Sequence, residues 1–101
     1  MKILAIENDV PGVSESEFTP QLLKEEAMSA WLLHQSGVIR ELYFRLDRHA
    51  AVLVLECPGV QEARAALSTL PLVRQNLVDF EIIPLAAYSG IERLFRDQQP
   101  L

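Results

Sequence analysis

Three charged or titratable side chains fall on faces that the surrounding pattern marks for burial. The stretch Val38-Ile39-Arg40-Glu41-Leu42-Tyr43-Phe44-Arg45-Leu46 alternates, and its apolar set Val38, Leu42, Phe44 and Leu46 is broken by Arg40. A guanidinium taken from water needs an anion beside it. Its planar fork fits a carboxylate, so Arg40 either anchors an anionic ligand or pairs with Glu26 or Glu7. Upstream, at about 100° per residue, Leu22, Leu23, Ala27, Ala30, Trp31 and Leu33 cover one half of a helix. Glu26 and His34 lie inside that half. A carboxyl among apolar neighbours has a raised pKa and can take and return a proton; the plain alternative is a structural partner for Arg40 or a boundary residue reaching water. His34 is placed to bond the last helix carbonyls or to shuttle a proton. Glu26 and His34 stand about 12 Å apart along the axis, eight residues at 1.5 Å each. They do not meet, but Arg40 can reach either.

The elements that carry these residues follow from punctuation and period. Residues 2–8 form a strand that is apolar on both faces (Ile3, Ala5; Leu4, Ile6). Pro11-Gly12 marks a loop. Thr19 followed by Pro20 starts a helix that runs to about Gln35 and stops near Gly37. Strand two spans 38–47, Asp47-Arg48-His49 turns, and strand three spans 50–57. A second helix covers about 60–69 and ends at Pro71. Its apolar stripe of Val60, Ala63, Ala66, Leu67 and Leu70 reads as core packing alone. Strand four covers about 77–87, and Ile91–Phe95 forms a short last helix.

The order βαββαβ predicts an α+β, ferredoxin-like sandwich, with both helices on one face of a four-stranded antiparallel sheet. Strands one and three are apolar on both faces and belong at the centre. Strands two and four carry Glu41, Arg45, Asp79 and Glu81 and suit the edges. The strand order is therefore 4-1-3-2. The helices leave the other sheet face bare, and a second copy of the sheet is the economical cover. Tyr43, Glu41, Arg45, Asp79 and Glu81 then lie toward that partner. Residues 1–101 form one domain, with 88–101 a docking segment too short to be stable unpacked.

With 101 residues, 50% of them hydrophobic, the chain is rich in apolar surface for one small domain. The net charge of −5 and the lack of a basic stripe exclude nucleic acid as a natural partner. No apolar run reaches the roughly 20 residues of a membrane span. The opening Met1–Glu7 reads as a strand rather than an export signal. One cysteine, Cys57, allows no internal disulfide, and a cytoplasmic location is expected. No metal-ligand spacing is present and no cofactor is expected. Cys57 and Trp31 read as core residues.

Several pieces together resemble the muconolactone isomerase-like and YCII-related families of the dimeric α+β barrel superfamily. They are Gln35-Ser36-Gly37 with Arg40 and Leu42 after them, Arg48 in the hairpin, and Leu70-Pro71-Leu72 leading into Asp79-Phe80-Glu81-Ile82. The resemblance spans about residues 19–85. It implies a homodimer, or a larger ring of dimers, with sheets packed face to face. It also implies double-bond migration by proton abstraction and return in a pocket between helix and sheet. Glu26 would then carry the proton, Arg40 would hold a substrate carboxylate, and Tyr43, which stands where the family pattern has a tryptophan, would line the substrate; His34 joins Glu26 as a catalytic candidate on its own position, not on the resemblance. His49 stands where the pattern has a tyrosine.

The function expected is an isomerase-type enzyme acting on a small organic acid or lactone. The first alternative is a non-catalytic ligand-binding or oligomerisation module in which Arg40 and Glu26 neutralise one another. The second, from what the superfamily hosts, is a cofactor-free or haem-dependent monooxygenase.

Overall fold

β1 (Lys2–Asp9) is the keel of the molecule. It lies between β3 (Ala51–Glu56) and β4 (Val78–Pro84) and pairs antiparallel with both. In the computed structural model, which describes residues 1–96, β2 (Ile39–Phe44) joins the outer side of β3. The order β2-β3-β1-β4 is the predicted 4-1-3-2 read from the other edge. Ile3 and Ala5 of β1, Leu53 and Leu55 of β3 and Phe80 of β4 share one buried face. Period-2 alternation places Glu7 on that face too, opposite Phe80.

α1 (Pro20–Gln35) begins where predicted: the Thr19 hydroxyl accepts the Leu22 N–H at 3.2 Å, and Pro20 takes the first helical position. It ends at Gly37, whose φ of +86° is left-handed. The Gly37 N–H donates to His34 O and the Val38 N–H to Leu33 O, the paired bonds of a Schellman stop. α2 (Val60–Leu67) buries Ala63 and Leu67, as its stripe requires.

Three expectations are corrected. First, β2 carries a bulge. Ile39 opposes Leu55 and Leu42 opposes Leu53, so an extra residue stands between them at Arg40. The bulge turns Ile39, not Val38, into the fully buried member, and leaves Arg40 exposed. Arg40 is therefore not a buried cation. Its Nε donates to the Gly37 carbonyl at 2.6 Å, and it pairs with neither Glu26 nor Glu7. Second, Pro71 does not simply end α2; it opens a helical turn of its own, α3 (Pro71–Arg74), at the position where proline is favoured. Third, β2 stops at Phe44: the Arg45 N–H makes the last cross-strand bond, to the Ala50 carbonyl at 2.9 Å, and the Arg45 side chain clasps Asp47 at 2.6 and 2.8 Å in the turn that follows.

After β4 the chain leaves the body. A 3-10 turn (Ser89–Glu92) and α4 (Arg93–Arg96) pack on one another and make no extensive contact with the sheet or α1. The radius of gyration is 17.6 Å, against about 13 Å for a compact chain of this length. The longest dimension is 65 Å against 28 and 22 Å for the others. Residues 88–96 thus form an arm; the remainder of the expected docking segment, 97–101, lies outside the described residues.

Ile39→Ala should cost about 2–5 kcal/mol, the price of a large aliphatic side chain in a core. Arg40→Ala should cost about 1 kcal/mol or less, for one exposed hydrogen bond. Denaturant unfolding of both variants at a single protein concentration tests the bulge: equal losses would put Arg40 back on the buried face.

Candidate active site

α1 is held away from much of the sheet, and only Leu22 among its residues is buried. The gap is a cavity of about 560 Å³. α1 contributes Leu23, Glu26, Ala27, Ala30 and Trp31 to its wall; the sheet contributes Glu7, Leu42, Phe44, Leu53 and Phe80; Leu70 and Leu72 close it from the start of α3. The lining is mostly apolar, and its carboxylates are Glu7 and Glu26. Among the described residues no Lys or Arg lines it.

Glu26 is fixed by a backbone need elsewhere. The N-cap of α3 is Leu70, which has no side-chain acceptor to give. Glu26 Oε1 accepts the Leu72 N–H at 2.9 Å and does that work across 46 positions of sequence. Among the described residues the Glu26 carboxyl makes no other hydrogen bond. Burial pushes its carboxyl above the ordinary glutamate value; the Leu72 bond pulls the other way, and the Glu7 charge adds to the rise. Glu7 is similar. Desolvation raises it, while the Ala51 N–H, bound at 3.1 Å, and the charges of His49 and Arg48 oppose the rise. Arg48 also donates from Nη2 to the Glu7 carbonyl at 3.3 Å and lies 3.8 Å from Asp9.

The structure brings Glu26 and Tyr43 to the cavity and leaves Arg40 and His34 outside its lining. Tyr43 donates its hydroxyl to Glu41 Oε1 at 2.6 Å, a bond that raises the phenol pKa. His34 Nδ1 lies 2.9 Å from the Ile39 carbonyl. A carbonyl only accepts, so Nδ1 carries the proton. His34 thus ties the end of α1 to β2. Arg40 stands near Glu56, whose carboxyl is held low mainly by the Met1 ammonium and further by Arg40 and Lys2. Trp31, expected in the core, is 53% exposed at the cavity wall, its ring 5.7 Å from His34.

Two cavity residues were missed as site residues. Glu7 enters the sequence reading only as a partner for Arg40, yet its place two residues after Ala5 on an apolar face is the signal that marks it for the cavity. His49 stacks on Phe44 at 4.5 Å between ring centroids and lines the same cavity; its turn position gave no such signal. Among the described residues no group of His, Cys, Asp and Glu side chains has metal-holding geometry, and no helix is long and apolar enough to cross a membrane.

The protein is thus a ferredoxin-like α+β sandwich with two desolvated carboxyls in a helix–sheet cavity. Its fold is that of muconolactone isomerase. The crystal structure of that enzyme at 3.3 Å resolution superposes with a TM-score of 0.72 and 23% sequence identity, over 89% of this chain and 93% of the other. No family model matches the sequence. No curated protein matches it either.

A carboxyl whose pKa is raised on folding binds its proton more tightly in the folded chain. Stability from such a group is full below the unfolded value and declines as pH climbs from 4.5 through the raised folded value. Glu7→Gln and Glu26→Gln keep an amide oxygen for Ala51 and Leu72 but cannot ionise. Each should flatten the decline of thermal midpoint between pH 4.5 and neutrality; a decline as steep as in the parent would mean the carboxyls are not desolvated.

Proposed function

We propose that the chain catalyses isomerase-type proton transfer on an unsaturated lactone or small organic acid bound in this cavity. The observation that carries the reading is Glu26: an apolar, desolvated carboxyl pinned by one oxygen to the Leu72 N–H, with a second such carboxyl, Glu7, in the same wall. As carboxylate, Glu26 takes a proton from the carbon next to the ligand carbonyl, and the electron pair moves into the conjugated enolate. As acid, it returns that proton at the far end of the conjugated system, so the double bond shifts and nothing is oxidised. The upward shift suits both halves of the cycle, because a carboxylate made a stronger base by burial forms a conjugate acid that keeps the proton for its return. Glu7, when protonated, supplies a hydrogen bond to the oxygen on which charge develops. Tyr43 contributes to the wall. Arg40 and His34, outside the lining, are assigned the indirect work of positioning the α1–β2 junction.

A second reading has its own observation. Glu26 caps α3, and a cap needs no chemistry. A binding module with a structural glutamate would have the same bond.

Hydrogen exchange separates the two. A panel of unsaturated lactones and their ring-opened acids, incubated with the protein in deuterated water, should show deuterium entering the carbon next to the carbonyl. Glu26→Gln should slow that exchange about 10²–10⁴-fold, the usual contribution of a positioned acid–base group. Ligand binding seen by thermal shift, with no exchange on any compound, would sink the enzyme in favour of the module.

The chain is also proposed to pair sheet to sheet with a second copy. Leu4, Ile6, Val52, Val54 and Ile83 point away from the helices and are only partly buried in the single chain. Val54→Asp would set a charge in the middle of that contact, and it should convert a sedimenting dimer to monomer. A parent that sediments as a monomer at micromolar concentration would end this proposal.

A further inference from the structure

The cavity is open, and its wall leaves large aromatic side chains bare. Trp31 is 53% exposed and Phe44 64%. A monomer that exposes such a surface beside desolvated carboxyls is incomplete. The same chain also carries an uncovered segment of matching character. In the arm, Tyr88, Ile91, Leu94 and Phe95 are all more than half exposed. Helices this short do not persist in water without packing, so the arm must rest on something.

Its own body is the wrong place. The arm leaves β4 at Pro84, opposite Ile3, and the Leu85 N–H bonds the Lys2 carbonyl at 3.0 Å. That is the far end of β1 from Glu7, about 13 Å away at 3.3 Å per residue. β4 is also the sheet edge opposite β2, whose Leu42 and Phe44 face the cavity. From there the arm runs outward and lengthens the molecule to 65 Å.

We propose that the C-terminal arm of a second copy of this chain docks over the cavity mouth, with Leu94 and Phe95 against the Trp31–Phe44 wall. Charge favours that occupant. The cavity carries Glu7 and Glu26 without a lining Lys or Arg among the described residues. The arm's last turn carries Arg93 and Arg96; Arg96 reaches Glu92 at 3.4 Å, whereas Arg93 has no ion-pair partner among the described residues. Arg48 and Arg74, which face Glu7 and Glu26 from the body, only partly offset the acidic side. The docked arm closes the cavity from water and brings a cation to its entrance. The site is then built from two chains, whatever reaction it hosts.

Trp31 is the sole tryptophan of the chain and sits on the proposed contact. A chain ending at Ala87 should therefore show Trp31 emission shifted to the red. Its acrylamide quenching constant should rise about twofold as the large ring loses its cover. Full-length Trp31→Phe chains, which are dark but keep the arm, should restore the parent value when mixed with the truncated chain. Should Trp31→Phe fail to fold, a peptide of residues 85–101 serves as the added probe. Arg93→Glu in the added chain or peptide should weaken the restoration. Equal quenching in parent and truncated chains would show that the arm does not cover Trp31 and overturn the proposal. Quenching that changes on truncation but ignores both added chain and protein concentration would place the arm on its own body, which also overturns it.

Discussion

The hydrogen bond from Leu72 N–H to Glu26 is the joint on which the candidate site depends. α1 buries only Leu22, near its start, so apolar packing alone does not set the helix against the sheet along its length. Glu26 lies about one turn further on, and its bond to the start of α3 fixes how far α1 stands from the sheet at that level. The cavity is what remains between them. At the other end of the helix, Gly37 stops the chain in a left-handed conformation and His34 fastens the last turn to Ile39. The helix is held at three places, and the space between is left unfilled.

Much of the fold was legible because its signals are local and periodic. Thr19-Pro20, Gly37 and the alternation of β1, β3 and β4 each state one thing. Strand order followed from which strands are apolar on both faces. The bulge was not legible. Val38 and Ile39 are adjacent and both apolar, so either can begin the buried set; the choice is made by pairing with Leu55, a residue in another strand. Reading Val38 as the buried member forced Arg40 onto the core face. The inserted residue leaves Leu42 and Phe44 on the expected inward face and changes only the assignments at and before it. Pro71 failed for a related reason: proline ends one helix and begins the next with equal ease.

The site was legible in half. Glu26 stands out because a carboxyl on an apolar helix stripe contradicts its setting. Glu7 contradicts its setting in the same way but sits at the end of a strand, where an alternation of only three residues, Ile3, Ala5 and Glu7, is easily taken for a strand running out into water. His49 could not be found from sequence. Its ring reaches the cavity only because the hairpin folds it onto Phe44, and no period describes a turn.

The capping bond and the proton-transfer reading are not equal rivals for Glu26. A cap asks only for an oxygen, and glutamine offers one without the cost of removing a charge from water. The same holds for Glu7 and the Ala51 N–H. Here both positions carry the ionisable form, in one apolar wall; burial raises both carboxyls, and the Glu7 charge adds to the rise at Glu26. The Leu72 and Ala51 bonds favour the charged form at each residue, yet burial outweighs them at both. Two desolvated carboxyls facing one cavity oppose stability, a cost that a proton-transfer site has a use for and a scaffold does not. That asymmetry, more than the shared fold with an isomerase, is what argues for chemistry between α1 and the sheet.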